Sequence, residues 1–216
     1  MTLLHDFEAA FRACPLVAIL RGVAPEEVES VGEALVGAGI GLIEIPLNSP
    51  RPLESIERLA GALRGRALVG AGTVLTLGNV RDVAAAGGQI IVSPNSDPAV
   101  IGATREAGLI SLPGFSTPSE AFAALGAGAT ALKLFPAEAA SPKILGAIRA
   151  VLPREVAVLP VGGIEVDSMA PWLAAGASGF GLGSSLYRPG RSAEEVGAKA
   201  RTFVTTLASL RAAGTP

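Results

Sequence analysis

The residue best suited to covalent chemistry in this sequence is Lys133, which lies in the run TALKLFP at residues 130–136. It is one of three lysines in a chain that otherwise uses arginine. A guanidinium stays protonated at any working pH, whereas a lysine can lose its proton and attack a carbonyl carbon. With Leu132 and Leu134 beside it, Lys133 is predicted to lie on a buried strand, where desolvation lowers the pKa of the amine. The pattern indicates an imine-forming enzyme.

Glu44 is the second unusual residue, because it is a carboxylate inside the apolar run LIEIP at residues 42–46. Burying such a group costs on the order of several kcal/mol unless it has a partner or a task. A nucleophilic amine and a proton-transferring carboxylate form a pair that could break carbon–carbon bonds. A structural interpretation stays open at this point, in which Lys133 extends to solvent or forms a buried ion pair with Glu44.

The elements that must position these residues follow from a repeated pattern, in which a glycine at a helix end precedes an apolar strand. Apolar strands are predicted at residues 16–20, 42–46, 67–72, 89–93, 109–112, 130–135, 156–161 and 179–183. Amphipathic segments with helix-start signals separate them. This alternation predicts an α/β fold, a (β/α)8 TIM barrel. An open doubly wound sheet is the alternative, but the segment LRGV at residues 20–23 offers no GxGxxG loop.

Composition limits the organisation to one domain. The chain has 216 residues, of which 50% are hydrophobic and 17% charged, so it can bury one sizeable core. A single barrel domain is therefore predicted over residues 1–216. Residues 1–14 are predicted to form an additional N-terminal helix that packs on the barrel, since apolar residues recur there at helical spacing.

Charge and cysteine content exclude several classes of function. The net charge of −2, without any block of lysine and arginine, predicts no nucleic-acid partner and no binding to an anionic membrane. Cys14 is the only cysteine, so neither a disulfide nor a zinc cluster can be built, and no metal site is predicted. The N-terminal residues carry no signal-peptide pattern and no apolar run reaches membrane length, which predicts a cytoplasmic protein.

Polar residues and glycines follow the predicted strands. In a barrel of this kind the reactive groups lie at the C-terminal ends of the strands. Besides Glu44 and Lys133, these ends carry Arg21, Asn48, Thr73, Asn95, Gly162–Gly163 and Gly183–Ser184. The loops after strands seven and eight of such barrels often hold a phosphate through backbone amides, so Gly162, Gly163, Gly183 and Ser184 are predicted to bind one. An ordinary salt bridge for Arg21 and ordinary turns for the glycines are the alternatives.

Taken together, the motifs resemble the Entner-Doudoroff-type aldolases over essentially the whole chain. The motifs that carry the resemblance are AILRG at 18–22, IEIPLNSP at 43–50, GAGTVL at 70–75, LKLFP at 132–136 and VGG at 161–163. The resemblance implies a metal-independent class I aldolase with no cofactor, commonly a homotrimer, that acts on a small phosphorylated keto acid. Lys133 then forms the imine and Glu44 moves protons. The resemblance also implies that the keto acid contacts Arg21, Thr73, the backbone near Pro94, and Phe135.

Two positions bear on which sugar acid is cleaved. The gluconate-type pattern of this family reads EVTLRT after strand two and PTGG after strand seven, whereas this chain has Asn48 and Val161. The resemblance therefore favours the galactonate epimer, 2-dehydro-3-deoxy-6-phosphogalactonate, because hydrogen-bonding groups near the sugar chain are lost. A hydroxyl that meets an unsuitable partner costs roughly 1–3 kcal/mol. The gluconate epimer, or both epimers, remains the alternative substrate.

Two other functions are compatible with the same residues. A phosphate-binding isomerase or synthase could use Lys133 only as a charge, without any covalent intermediate. A noncatalytic sugar-phosphate sensor could use the same pocket, but it leaves an interior lysine and glutamate without a purpose.

Overall fold

Helices and strands alternate along residues 2–214, the part of the chain that the computed structural model describes. The α-helices are α1 (Leu3–Ala13), α2 (Val28–Gly37), α3 (Pro52–Ala62), α4 (Leu77–Ala85), α5 (Pro98–Glu106), α6 (Pro118–Ala127), α7 (Pro142–Arg149), α8 (Met169–Ala174) and α9 (Ala193–Ala212). The strands are β1 (Leu16–Ile19), β2 (Leu42–Pro46), β3 (Leu68–Gly72), β4 (Ile90–Val92), β5 (Ile110–Leu112), β6 (Gly114–Phe115), β7 (Leu132–Leu134), β8 (Val158–Pro160) and β9 (Phe180–Leu182). Short 3₁₀ helices cover Ala137–Ala139 and Val166–Ser168.

Local capping chemistry explains where several helices begin. The side chains of Thr76, Asp97 and Ser141 accept hydrogen bonds from N–H groups in the first turns of α4, α5 and α7. Thr117 and Glu120 form a reciprocal capping box at the start of α6. The sequence predicted helix-start signals between the strands, and these four caps lie at such positions.

All strand pairs are parallel and belong to two sheets. The larger sheet has the order β5-β4-β3-β2-β1-β9, and the smaller has the order β6-β7-β8. The order follows the chain, and the last strand lies beside the first, so it lacks the reversal that defines a doubly wound sheet. The α/β class with helices covering parallel strands is therefore confirmed.

The prediction of one closed sheet of eight strands differs from what the backbone forms. Residues 2–214 form nine strands in two sheets, because Pro113 separates β5 from β6 and a proline has no N–H to donate to a ladder. The gap is narrow. The carbonyls of Ser111 and Pro113 accept from the N–H groups of Thr130 and Lys133 at 2.9 Å each. On the other side, an isolated parallel bridge pairs Val161 with Gly181.

The strand residues divide into two layers of core because successive side chains point to opposite faces. Ala18, Ile43, Val69 and Leu132 belong to the larger cluster between the strands and the helices. The inner cluster holds the alternate residues Val17, Leu42, Leu68, Ile90, Ile110 and Leu159, and Phe7 of α1 packs against them. The predicted N-terminal helix therefore contributes to the inner core. Within residues 2–214, no helix combines the length and the hydropathy needed to cross a membrane.

Candidate active site

Lys133 points to the inner face of the strands. Its neighbours Leu132 and Leu134 belong to the larger cluster between the strands and the helices. The residues that flank the lysine in sequence are therefore not the ones that bury it. Its inner surroundings include Val92, Leu112, Leu159 and Val161. Lys133 is only 6% exposed. Burial lowers the pKa of the Lys133 amine and nearby Arg21 lowers it further, whereas Glu44 raises it.

Glu44 lies on β2 and is 1% exposed. Among the described residues its Oε2 has no hydrogen-bond partner. Burial raises the pKa of Glu44 to about 7, although the charges of Lys133 and Arg21 act in the opposite direction. The carboxylate fits only because Gly72 of β3, two residues beyond the register partner Gly70, has no side chain; a Cβ there would overlap both carboxylate oxygens. A carboxyl group with a pKa near neutrality can both accept and return a proton at working pH.

The two groups share a cavity without forming a tight ion pair. Lys133 and Glu44 both line a cavity of about 10 Å³. Within residues 2–214, no salt bridge of 4.0 Å or less joins them. The buried ion pair that the sequence left open is therefore absent there. The Lys133 Nζ lies 4.6 Å from the centre of the Phe135 ring, a distance at which a cation and a ring attract.

Arg21 and Asn48 are joined to each other. The guanidinium of Arg21 donates a hydrogen bond of 2.8 Å to Asn48 Oδ1, and both side chains are exposed at the strand ends. The next residue, Gly22, donates its N–H to Ser49 Oγ at 2.9 Å. The sequence predicted Arg21 as a contact to the keto acid and Asn48 as a residue near the sugar chain, and the structure adds that Asn48 directly supports Arg21.

Thr73 and Pro94 lie half-buried beside these strand ends. Thr73 has a φ of 58°, a left-handed conformation that a β-branched residue rarely adopts and that costs about 1–3 kcal/mol. Such strain is frequent at functional sites. The Pro94 carbonyl lies where a Cβ on Gly114 would be, and Gly114 pairs with Lys133 in the parallel register. The Pro94 backbone is thereby held one strand away from the lysine.

Val161 lies on the wall of the same cavity. It is 6% exposed, and it reaches the interior because Gly181, its bridge partner, has no side chain to meet it. An apolar residue at this position offers no hydrogen bond to a bound hydroxyl group.

The two glycine loops present free backbone donors. Among the described residues, the N–H groups of Gly163 and Ser184 donate to no backbone or side-chain acceptor, whereas Gly162 lies next to the bridge between Val161 and Gly181. Gly162 and Gly163 have φ values of 110° and 63°, which favour glycine. Unpaired amides at the ends of strands can bind an anion.

A carboxylate that the sequence analysis did not single out lies against one of these loops. The side chain of Glu138, on the 3₁₀ helix after β7, fills the space where Cβ atoms on Gly162 and Gly163 would be. Glu138 is exposed and follows a strand end, so the rule that selected Arg21 and Thr73 could have found it. An anion at Gly162 and Gly163 needs this carboxylate to turn away.

Comparisons with known proteins agree with this geometry. A family model described as KDPG and KHG aldolase matches residues 7–197. A probable 2-dehydro-3-deoxy-6-phosphogalactonate aldolase of Rhizobium meliloti is 49% identical over 195 residues, which cover 90% of this chain and 91% of that protein. The 2-dehydro-3-deoxy-6-phosphogalactonate aldolase of Escherichia coli is 46% identical over 190 residues, which cover 88% and 93%.

Solved structures give the same result. A native KDPGal structure superimposes with a TM-score of 0.90 and 44% identity, over 92% of this chain and 96% of that one. The strand-end motifs, the buried lysine and glutamate, and these comparisons point to one group of enzymes. The chain belongs to the KDPG and KHG aldolase family, and it is a carbon–carbon lyase.

Proposed function

We propose that this chain is a class I aldolase that cleaves 2-dehydro-3-deoxy-6-phosphogalactonate to pyruvate and glyceraldehyde 3-phosphate. The observation that carries the proposal is the buried amine of Lys133, whose pKa is lowered, in one cavity with Glu44, whose pKa is raised to about 7. Lowering the pKa of the amine increases the fraction of free nucleophile near neutral pH.

The reaction begins at the C2 ketone. The neutral amine of Lys133 attacks this carbon, gives a carbinolamine and loses water to form a protonated imine. Glu44 then accepts the proton of the C4 hydroxyl group, and the C3–C4 bond breaks. The bond electrons move into the imine and produce an enamine, while the aldehyde leaves. Protonation of the enamine at C3 and hydrolysis of the imine release pyruvate and regenerate the lysine.

A proton must pass between Glu44 and the substrate. The cavity that both catalytic groups line has about 10 Å³, a size comparable with one water molecule. Proton transfer through a single water at this position is consistent with that size.

The ends of the substrate are assigned by charge. Arg21, Thr73 and the backbone at Pro94 hold the carboxylate end, and Phe135 forms a wall beside the imine. The phosphate is held by the amides of Gly162, Gly163 and Ser184, with Gly183 and the Ser184 hydroxyl, once Glu138 has turned away. Binding energy from the phosphate then aligns the bond that breaks.

The galactonate epimer is supported by two observations. Asn48 and Val161 stand where the gluconate-type pattern of this family has an arginine and a threonine, and the relatives named above carry the galactonate name. The measurement that tests this choice is the ratio of kcat/KM values for the two epimeric phosphorylated acids. Comparable values contradict the galactonate preference and leave the aldolase intact.

The assembly belongs to the same proposal. We infer that the six-stranded and three-stranded sheets act together as one closed (β/α)8 barrel, within one domain over residues 1–216. The hydrogen bonds across Pro113 and the bridge from Val161 to Gly181 support closure. A homotrimer is the proposed state of association, and sedimentation analysis tests it.

Borohydride reduction in the presence of pyruvate tests the covalent step. We expect a permanent pyruvyl mass on Lys133, located by peptide mass spectrometry, and pyruvate release from the phosphorylated acid in an assay coupled to lactate dehydrogenase. The absence of an adduct supports the noncovalent isomerase-type barrel instead. Binding without pyruvate release supports the sensor.

A further inference from the structure

A tyrosine far from Lys133 in sequence joins two loops of the site. The loop after β1 carries Arg21, and the turn after β9 carries Ser184. The Tyr187 hydroxyl donates a hydrogen bond of 2.7 Å to Glu27 Oε1. The same Glu27 oxygen accepts the N–H of Ala24 at 3.1 Å. One carboxylate oxygen therefore binds both loops, across 160 positions of sequence.

Both the backbone and the burial of Tyr187 hold it in the turn after β9. Its N–H donates to the Gly183 carbonyl at 2.9 Å, and the residue is 2% exposed. Burial and the neighbouring Glu27 raise the pKa of the Tyr187 hydroxyl, so it remains protonated and donates. A hydrogen bond from a buried hydroxyl to a carboxylate is stronger than one between neutral groups.

A second contact fixes the spacing of the same two loops. Gly22 has a φ of 83°, and a Cβ there would lie 2.8 Å from Pro189 Cγ. Pro189 therefore packs directly on the backbone beside Arg21. Since the N–H of Gly22 also binds Ser49, the Arg21 loop is held from both sides.

Two arginines satisfy the carbonyls of the turn after β9. Arg188 Nε donates to the Ser184 carbonyl at 3.0 Å, and the Arg191 guanidinium donates to the Leu186 carbonyl at 2.7 Å. The carbonyl side of the turn is thus occupied, while the Ser184 N–H has no acceptor among the described residues.

We propose that Tyr187 and Glu27 are positioning residues for this aldolase: their hydrogen bond holds the Ser184 turn at a fixed place relative to the Arg21 loop. The inference rests on the proposed function, in which the turn binds the phosphate and Arg21 binds the keto acid. Neither Tyr187 nor Glu27 touches the reacting atoms. They act by keeping the two binding loops at the separation that one substrate requires.

The test uses Tyr187→Phe in the aldol direction, with pyruvate and either glyceraldehyde 3-phosphate or glyceraldehyde. Loss of this hydrogen bond should lower kcat/KM for the phosphorylated aldehyde about tenfold, mainly through KM. The value for glyceraldehyde should change less than about twofold, because that aldehyde makes no contact with the turn. If the role of Tyr187 is only structural, Tyr187→Phe lowers the thermal midpoint but leaves the ratio of kcat/KM for the phosphorylated aldehyde to kcat/KM for glyceraldehyde unchanged. An unchanged ratio overturns the proposal.

Substitutions at Glu27 provide the matched pair. Glu27→Gln keeps an oxygen that can accept hydrogen bonds from both Tyr187 and Ala24. The ratio of kcat/KM for the two aldehydes should therefore stay near that of the unmodified protein. Glu27→Ala should lower the ratio as Tyr187→Phe does. Equal ratios in the two Glu27 variants contradict the proposal, even if Tyr187→Phe does not fold. Glu33→Ala, which removes a surface pair with Arg66, serves as the control.

Borohydride trapping separates this inference from the proposed function. Each folded variant is reduced with pyruvate, and the adduct on Lys133 is measured. If the unmodified protein forms no adduct, the proposed function fails. If it forms the adduct and the aldehyde ratio is the same in Tyr187→Phe, only the positioning role fails.

Discussion

At the scale of single residues, Lys133 and Glu44 are perturbed by the same physical cause in opposite directions. Burial disfavours the charged form of each group, so it lowers the pKa of the amine and raises that of the carboxyl. Both shifts move the pKa values of these groups toward neutrality, as their proposed roles as nucleophile and as proton acceptor and donor require. The residue types alone suggested this pair, but the environment that shifts the two pKa values lies on other strands.

Replacing Lys133 by arginine keeps the positive charge and removes the nucleophile. Turnover of the phosphorylated acid should fall by on the order of 1000-fold or more, since a guanidinium forms no imine. The measurement is kcat in the coupled assay, together with the mass of the borohydride-treated protein. Lys143→Arg, at an exposed lysine of α7, is the control and should keep full activity. Substantial turnover by Lys133→Arg contradicts the nucleophile role.

The raised pKa of Glu44 predicts an acid limb in the pH profile. Glu44 must be deprotonated to accept the C4 hydroxyl proton, so its titration should make kcat/KM rise with pH up to about 7. Below that value we expect a loss of about tenfold per pH unit. Glu44→Gln should lose most of its activity and this limb, whereas the exposed Glu29→Gln should keep both. An unchanged limb in Glu44→Gln assigns the titration to another group.

Glu138 should weaken the binding of phosphorylated substrates. Its carboxylate lies against Gly162 and Gly163, so an incoming phosphate meets negative charge there. Glu138→Gln should lower KM for the phosphorylated acid by about threefold and leave an unphosphorylated analogue unaffected. Glu155→Gln, at an exposed glutamate on another loop, is the control. An unchanged or higher KM in Glu138→Gln shows that this carboxylate does not oppose the phosphate.

At the scale of elements, the place of the Glu44 carboxylate between β2 and β3 depends on one missing side chain. Gly72→Ala inserts a Cβ into the space of the Glu44 carboxylate, so the carboxylate must move. We expect kcat/KM to fall at least about tenfold and stability to drop by about 1–3 kcal/mol. The measurements are steady-state kinetics and urea unfolding. Gly61→Ala, in α3 with open space around it, should keep activity and gain up to about 1 kcal/mol.

Sequence patterns predicted the elements better than their connections. Each of the predicted apolar runs contains a strand, with ends that differ by a residue or two. The short strand β6 was not predicted, because the fifth predicted strand ends at residue 112, before Pro113, whose missing N–H interrupts the ladder. The bridge between Val161 and Gly181 depends on two strands meeting, which a local pattern does not contain.

At the scale of the whole molecule, Glu44 makes stability depend on pH. Its pKa rises from 4.5 to about 7 on folding, so the folded protein binds this proton more tightly. The stabilisation is complete below pH 4.5 and is lost as pH rises through 7. Glu44→Gln should therefore gain stability relative to the unmodified protein over this interval, by up to about 3 kcal/mol. Chemical unfolding at several pH values measures it.

A constant difference in unfolding free energy between Glu44→Gln and the unmodified protein contradicts the raised pKa. A constant offset from the buried amide does not disturb the test, because only the change with pH reports the titration. Glu29→Gln, at an exposed glutamate, should give a difference that is flat with pH.

The sequence by itself determined the alternation of strands and helices, the reactive residue types and the positions of the strand ends, because these follow from local periodicity and side-chain chemistry. Only the tertiary structure decided what surrounds each group. Gly72 makes room for Glu44, Asn48 supports Arg21, and Glu138 lies over the glycine loop. These contacts join residues from different strand ends, and no local pattern records which strand ends will meet.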